Sequence, residues 1–155
     1  MQKKRAIDPA LVDSITDGLL DAMPMFPKKL LQTDTLQRTH HMPLSHLQIM
    51  LMLRQEDMSI GQISRLLGIA KPNITPLVDA LCEQGLVERI RDAHDRRVIN
   101  ICLTAAGHTR ISEVESTLAG CVTQWSDKLS RSELREMNNA LASLLRILSL
   151  LEKDA

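Results

Sequence analysis

The spacing of apolar residues leaves the helical period at Gly85, and that change limits the folds open to it. Before Gly85 the spacing is helical. Ile7, Leu11, Ile15, Leu19 and Met23 recur in steps of four, which keeps them on one drifting stripe of a helix. Pro24 and Pro27 are expected to interrupt that helix, because each lacks an N–H and crowds the turn before it. A second short piece is expected from 28 to about 35, with 39–43 as a connector. Ser45-His46-Leu47-Gln48 reads as a capping box ahead of the apolar run Leu47, Ile49, Met50, Leu51, Met52 and Leu53, so this helix is expected to be buried on most sides. Ser59-Ile60-Gly61-Gln62 opens another helix that stops at Gly68, and a third starts near Pro72 and ends at Gly85. Beyond Gly85 the period is two. Residues 86–91 and 98–103 read as strands around a polar tip at 92–97. In the second strand Ile99, Ile101 and Leu103 share one face, while Asn100 and Cys102 share the other. Thr104 then caps a long helix with the stripe Ile111, Val114, Leu118, Cys121, Val122 and Trp125. Ser130-Arg131-Ser132-Glu133 starts a last one.

The order is helices, a helix–turn–helix, a two-stranded hairpin and two more helices. That is a mainly α fold with a small β-wing, a winged helix–turn–helix flanked by N- and C-terminal helices. The expected division is 1–43, 44–103 and 104–155 within one integrated domain, and 155 residues are enough for an ordinary core. Aromatic residues are 1% of the chain, only Phe26 and Trp125, which speaks against binders that stack single-stranded bases. Lys and Arg balance Asp and Glu at 19 each, so any attraction to nucleic acid must be local. The start Met-Gln-Lys-Lys-Arg is basic but precedes no apolar core of a secretory signal. No apolar run approaches the ~20 residues of a membrane span. Three cysteines without a CxxC pair fit the reduced cytoplasm. Neither a GxSxG, an HExxH, a phosphate loop nor a dinucleotide fingerprint occurs, so an enzyme is not expected.

Within the third helix, Ile74, Leu77, Val78 and Leu81 fall at i, i+3, i+4 and i+7 and should face the core. Lys71, Pro72, Asn73, Thr75, Pro76 and Asp79 are then turned outward or toward its N-terminal end. Lys71 suits a phosphate, Asn73 and Thr75 suit base edges or phosphate, and the Pro76 ring suits a thymine methyl. The alternative is an ordinary surface helix. In the hairpin Arg89, Arg91, Arg96 and Arg97 stand against Asp92 and Asp95, a local positive surplus in a neutral chain. Arginine suits a narrow minor groove. On a strand-like backbone Asp95 and Arg97 leave one face, so the acid is placed to orient the guanidinium; otherwise they are a solvated surface pair.

Ile63-Ser64-Arg65-Leu66-Leu67-Gly68-Ile69, Lys71-Pro72-Asn73-Ile74-Thr75 and Leu81-Cys82-Glu83-Gln84-Gly85-Leu86-Val87-Glu88-Arg89 resemble the MarR (multiple antibiotic resistance regulator) family. So does Asp95-Arg96-Arg97 followed by Leu103-Thr104-Ala105-Ala106-Gly107. The resemblance implies a homodimer in which the first and last two helices interlock with the partner's. Two wings would read a pseudo-palindromic operator in double-stranded DNA, with Arg97 in the minor groove and Asp95 bracing it. The last helix supports dimerisation independently: Leu134, Met137, Leu141, Leu144, Leu148 and Leu151 are spaced like heptads. With Leu11 and Ile15 they form more apolar surface than a small winged domain covers, so an interface is expected there. The competing use of such a fold is protein–protein contact, with the arginine-rich wing incidental.

The family also implies repression relieved by a small aromatic or amphipathic effector. Methionines crowd the first helical segments, and Met23, Phe26, His41 and Met50 are the candidate lining. Pro24 and Pro27 depart from the family pattern in the first helix. The family's peroxide-sensing branch carries an N-terminal cysteine that is lacking here; Cys82 follows Leu81, Cys102 is expected on the outward strand face, and Cys121 lies on a stripe. No metal or cofactor is expected, since His40, His41, His46, His94 and His108 form no i, i+4 pair and read as surface or capping residues.

Overall fold

In the computed structural model the described residues are 7–92, 95 and 97–152. Seven α-helices and three strands follow one another among them: α1 (Pro9–Met25), α2 (Thr33–His40), α3 (Leu44–Leu53), β1 (Met58–Ser59), α4 (Ile60–Leu67), α5 (Lys71–Glu83), β2 (Val87–Arg91), β3 (Ile99–Leu103), α6 (Ala105–Ser126) and α7 (Arg131–Glu152). None of these helices is long and apolar enough to cross a membrane.

Pro24 does not end the first helix. α1 runs through it to Met25, and a π-helical turn at Phe26–Leu30 carries the chain past Pro27. The wider turn accommodates the missing proline donors: the Leu31 N–H reaches back five residues to the Phe26 carbonyl at 3.3 Å. The break comes instead at Gln32, a non-glycine residue at φ 46°, so the piece expected at 28–35 is split. α2 then takes in Thr39 and His40, which were expected in the connector, and stops at His41 with φ 48°. The expected Ser45 cap is not formed either. Pro43 precedes the helix and α3 already begins at Leu44, which puts Ser45 inside the first turn.

The core forms where α3, α5, α6 and β3 meet. Leu47, Ile49 and Met50 of α3, Ile63 of α4, Ile74, Val78 and Leu81 of α5, and Ile101 of β3 are completely buried or nearly so. The Ser59 box is present as expected: the Gln62 N–H donates to Ser59 Oγ at 3.3 Å and the Ser59 N–H donates to Gln62 Oε1 at 2.8 Å. Ser59→Ala should therefore cost about 1 kcal/mol, read as a lower denaturant midpoint at unchanged slope. An unchanged midpoint would show that the box adds nothing.

β1 was not expected, since two residues carry no readable period. It pairs antiparallel with β3, Met58 opposite Ile101, making the sheet β1-β3-β2. β2 and β3 pair from Val87 opposite Leu103 to Arg91 opposite Ile99. The expected alternation along β3 fails at both ends. Ile99 is exposed near the hairpin tip, whereas Cys102 is buried, its thiol donating to the Glu88 carbonyl at 3.6 Å. At the base of the hairpin both faces are covered, so period-two polarity is lost there. Burial pushes the Cys102 and Cys82 thiols above their ordinary range, which favours the protonated form. His40 and His46 are also buried, not at the surface; His40 Nε2 lies 3.0 Å from Thr117 Oγ1, and burial lowers the pKa of His46.

Candidate nucleic-acid interface

The two helices α4 and α5 are joined by a tight turn that glycine makes affordable: Gly68 holds φ 65° after α4. Pro72 lies in the first turn of α5, where its missing N–H costs nothing. Because Ile74, Val78 and Leu81 face the core, Lys71, Pro72, Asn73 and Pro76 stand exposed on the other side. Thr75 is half-buried, and its hydroxyl donates to the Lys71 carbonyl at 3.1 Å, so that proton is engaged within the helix. Gly61 of α4 makes room for Lys71: a Cβ at Gly61 would lie 3.3 Å from Lys71 Cε and 3.4 Å from its Nζ. Sequence reasoning missed this approach, which joins residues ten apart through the turn.

Arg89, expected to meet DNA, is ion-paired to Asp79 of α5, Nη2 to Oδ1, at 2.6 Å. The pair ties β2 to α5 and partly neutralises both. Arg91 at the end of β2 remains exposed. Arg96 and His94 lie outside the described residues.

The hairpin tip is organised by two aspartates. Asp92 Oδ1 accepts the Asp95 N–H at 3.0 Å, and Oδ2 accepts from Asn100 Nδ2 at 3.1 Å. The Val98 N–H donates to the Asp95 carbonyl at 2.9 Å, closing a turn where an extended backbone was expected. Asp95 nevertheless holds Arg97, accepting from Nε at 3.1 Å, from Nη2 at 3.3 Å and from the Arg97 N–H at 3.0 Å. These bonds hold the Asp95 carboxyl below its ordinary pKa range. The Arg97 side chain is 91% exposed, so a fixed guanidinium is presented to solvent at the tip. Asp92 and Asn100 were not recognised as its support; only folding brings Asp92, just past β2, beside Asn100 of β3.

Residues 40–98 match the profile described as the MarR family. The transcriptional repressor MprA of Escherichia coli K12 is 30% identical over 128 residues, covering 81% of this chain and 70% of that protein. The chain belongs to the MarR family of transcription regulators. Its fold is shared by RV1404 of Mycobacterium tuberculosis, with a TM-score of 0.76 at 18% identity over 93% of this chain and 97% of that one. The transcriptional regulator BldR of Sulfolobus solfataricus gives 0.65 at 22% identity over 88% and 99%.

The effector lining expected in this MarR-family chain does not assemble. Met50 is fully buried within the core, because α3 is covered on that side. Met23 is exposed on α1, His41 is exposed after α2, and Phe26 is half-buried in a small apolar cleft beside Met25. A cavity of about 600 Å³ opens elsewhere, between the π-helical turn, α2, the end of α6 and the start of α7.

Proposed function

We propose that this MarR-family chain is a sequence-specific repressor that binds double-stranded DNA as a homodimer and releases it when a small ligand binds. The observation that carries the reading is the exposed Arg97 guanidinium, held by Asp95 at the wing tip beside the exposed first turn of α5. A helix first turn fits a major groove, and an oriented arginine fits an adjacent minor groove. Lys71, Pro72, Asn73, Pro76, Arg91 and Arg97 are the proposed DNA contacts. Thr75 joins them through its hydroxyl oxygen, Arg96 through its place in the wing motif, and Arg89 and Asp95 as positioning residues.

Dimerisation is supported by apolar surface without cover. Every residue of α1 is exposed, Leu11 at 59% and Ile15 at 54%, and Leu141, Leu144, Leu148 and Leu151 of α7 are exposed too. An isolated helix gains its stability by burying such a face, so 1–43 and 104–155 are assigned to dimerisation and 44–103 to DNA. The proposed setting is the cytoplasm, and the proposed action is binding, not catalysis.

The test is a titration with duplex DNA from the chain's own promoter region against random duplex, at several salt concentrations. Preference for the promoter fragment with a steep fall in affinity as salt rises is expected; equal affinity for both duplexes overturns the reading. Leu144→Asp should yield monomers by size, since a buried unpaired charge costs several kcal/mol, and operator affinity should fall with it. A variant of dimer size with normal affinity would remove α7 from the interface.

A further inference from the structure

The first two turns of α5 carry no group suited to guanine. From Lys71 to Glu83 the helix has no arginine, the side chain that most often reads the O6 and N7 of that base. Its one cation, Lys71, lies back against α4, where a Cβ at Gly61 would stand 3.4 Å from Nζ. That position suits a phosphate better than a base edge. Asp79 and Glu83 follow on later turns. Their negative charge, only partly met by the Arg89–Asp79 pair, keeps that end of α5 off the phosphates. Base contacts are thereby confined to residues 72–76.

Two of those residues have a narrow chemical vocabulary. Thr75 Oγ1 donates its single proton to the Lys71 carbonyl at 3.1 Å, so toward a ligand it only accepts. Pro76 has no N–H, and its exposed ring offers apolar surface alone. Pro72, one turn earlier on the same side and also exposed, adds a second ring. A proline inside a helix forfeits the bond to the carbonyl four residues back. Pro76 is exposed, so core packing does not offset that cost, and a surface contact accounts for it.

We infer that α5 reads A·T base pairs, with Pro76 against a thymine methyl and Thr75 Oγ1 accepting from an adenine N6 amino group. The inference rests on the reading that this chain binds duplex DNA and names the bases it selects. In the major groove only adenine N6 and cytosine N4 donate, and only thymine carries a methyl. An A·T pair presents the donor and the methyl together. A C·G pair sets its donor beside the guanine O6 and N7, two acceptors for which Thr75 and Pro76 have no proton to give. Asn73, exposed in the first turn, both donates and accepts, which matches adenine N6 and N7. The wing selects the same composition by shape. A-tracts have the narrow minor groove that attracts arginine, and Arg97 is held exposed at the tip.

Selection of duplexes from a randomised pool by the full-length protein tests this, and half-sites built of A·T pairs are expected. In the selected duplex each thymine is then exchanged for uracil, which removes one methyl and keeps the pairing. At one or more positions the exchange should weaken binding about threefold or more. Pro76→Ala should abolish that sensitivity while melting no lower than wild type, because alanine restores the helix bond. Thr75→Val should bind the selected duplex about five- to tenfold more weakly. Thr75→Ser keeps the acceptor and should stay close to wild type. Selection of G·C half-sites, indifference to uracil at every position, uracil sensitivity that persists in Pro76→Ala, or wild-type binding by Thr75→Val each overturns the inference and leaves the repressor reading standing. Enrichment of no sequence at all overturns both.

Discussion

Gly107→Ala is expected to lower the stability of this protein by about 2–4 kcal/mol, although alanine is the better helix former by about 1 kcal/mol. The reason is distance. A Cβ at Gly107 would lie 2.1 Å from the Leu86 carbonyl oxygen and 3.1 Å from Leu103 Cδ2. The carbonyl cannot swing away cheaply, because it accepts the Thr104 N–H that seats the start of α6. Either that bond breaks or α6 moves off the turn after α5 by more than an ångström. For a chain of this size the loss corresponds to a melting temperature lower by roughly 5–15 °C. Thermal unfolding by circular dichroism measures it, and an unchanged or raised midpoint would show that α6 does not rest on Leu86. Operator affinity should fall as well, since the same displacement shifts the recognition helix relative to α6.

Arg97→Ala should leave stability alone and reduce operator affinity about 10- to 100-fold, a loss of about 1–3 kcal/mol. The side chain is almost wholly exposed, so truncation removes no core contact. A lone phosphate contact would instead weaken all duplexes alike and lower the salt slope by about one. Measuring promoter and random duplex in parallel separates the two, and unchanged affinity for both would remove Arg97 from the interface. Asp95→Asn should give a smaller loss, because the guanidinium remains but its orientation is no longer held. The Asp95 carboxyl is depressed by its hydrogen bonds from Arg97. The paired form is therefore complete above the ordinary carboxylate range and is lost only as pH falls through the depressed value. DNA binding through this pair should persist into mildly acidic buffer.

Much of this arrangement was legible in the order of residues. The Ser59 box, the Gly68 turn, Pro72 in the first turn of α5, the Thr104 cap and the Ser130 box each act through neighbours three or four positions away, and each is formed. The apolar face of α5 was legible for the same reason, since helical spacing alone puts Ile74, Val78 and Leu81 on one side. Local rules failed where a local preference met a tertiary demand. Pro24 lies within α1 because a proline late in a helix forfeits one bond, and the wider turn that follows absorbs Pro27. Cys102 is buried although its strand neighbours suggested otherwise.

Contacts between distant segments were not legible at all. Arg89 read as a free cation until folding set it beside Asp79, and Met50 read as a pocket residue until α3 was seen packed inside the core. The groove between the π-helical turn, α2, the end of α6 and the start of α7 draws on residues a hundred positions apart, Lys28 and Lys128. By itself, then, the sequence determined the switch of period at Gly85 and with it a helix–turn–helix followed by a hairpin, because backbone propensity, caps and periodicity act over a few residues. Only the tertiary structure decided which charges on that hairpin remain unpaired and where a cavity opens, because ion pairing and enclosure depend on distances through space that no local pattern encodes.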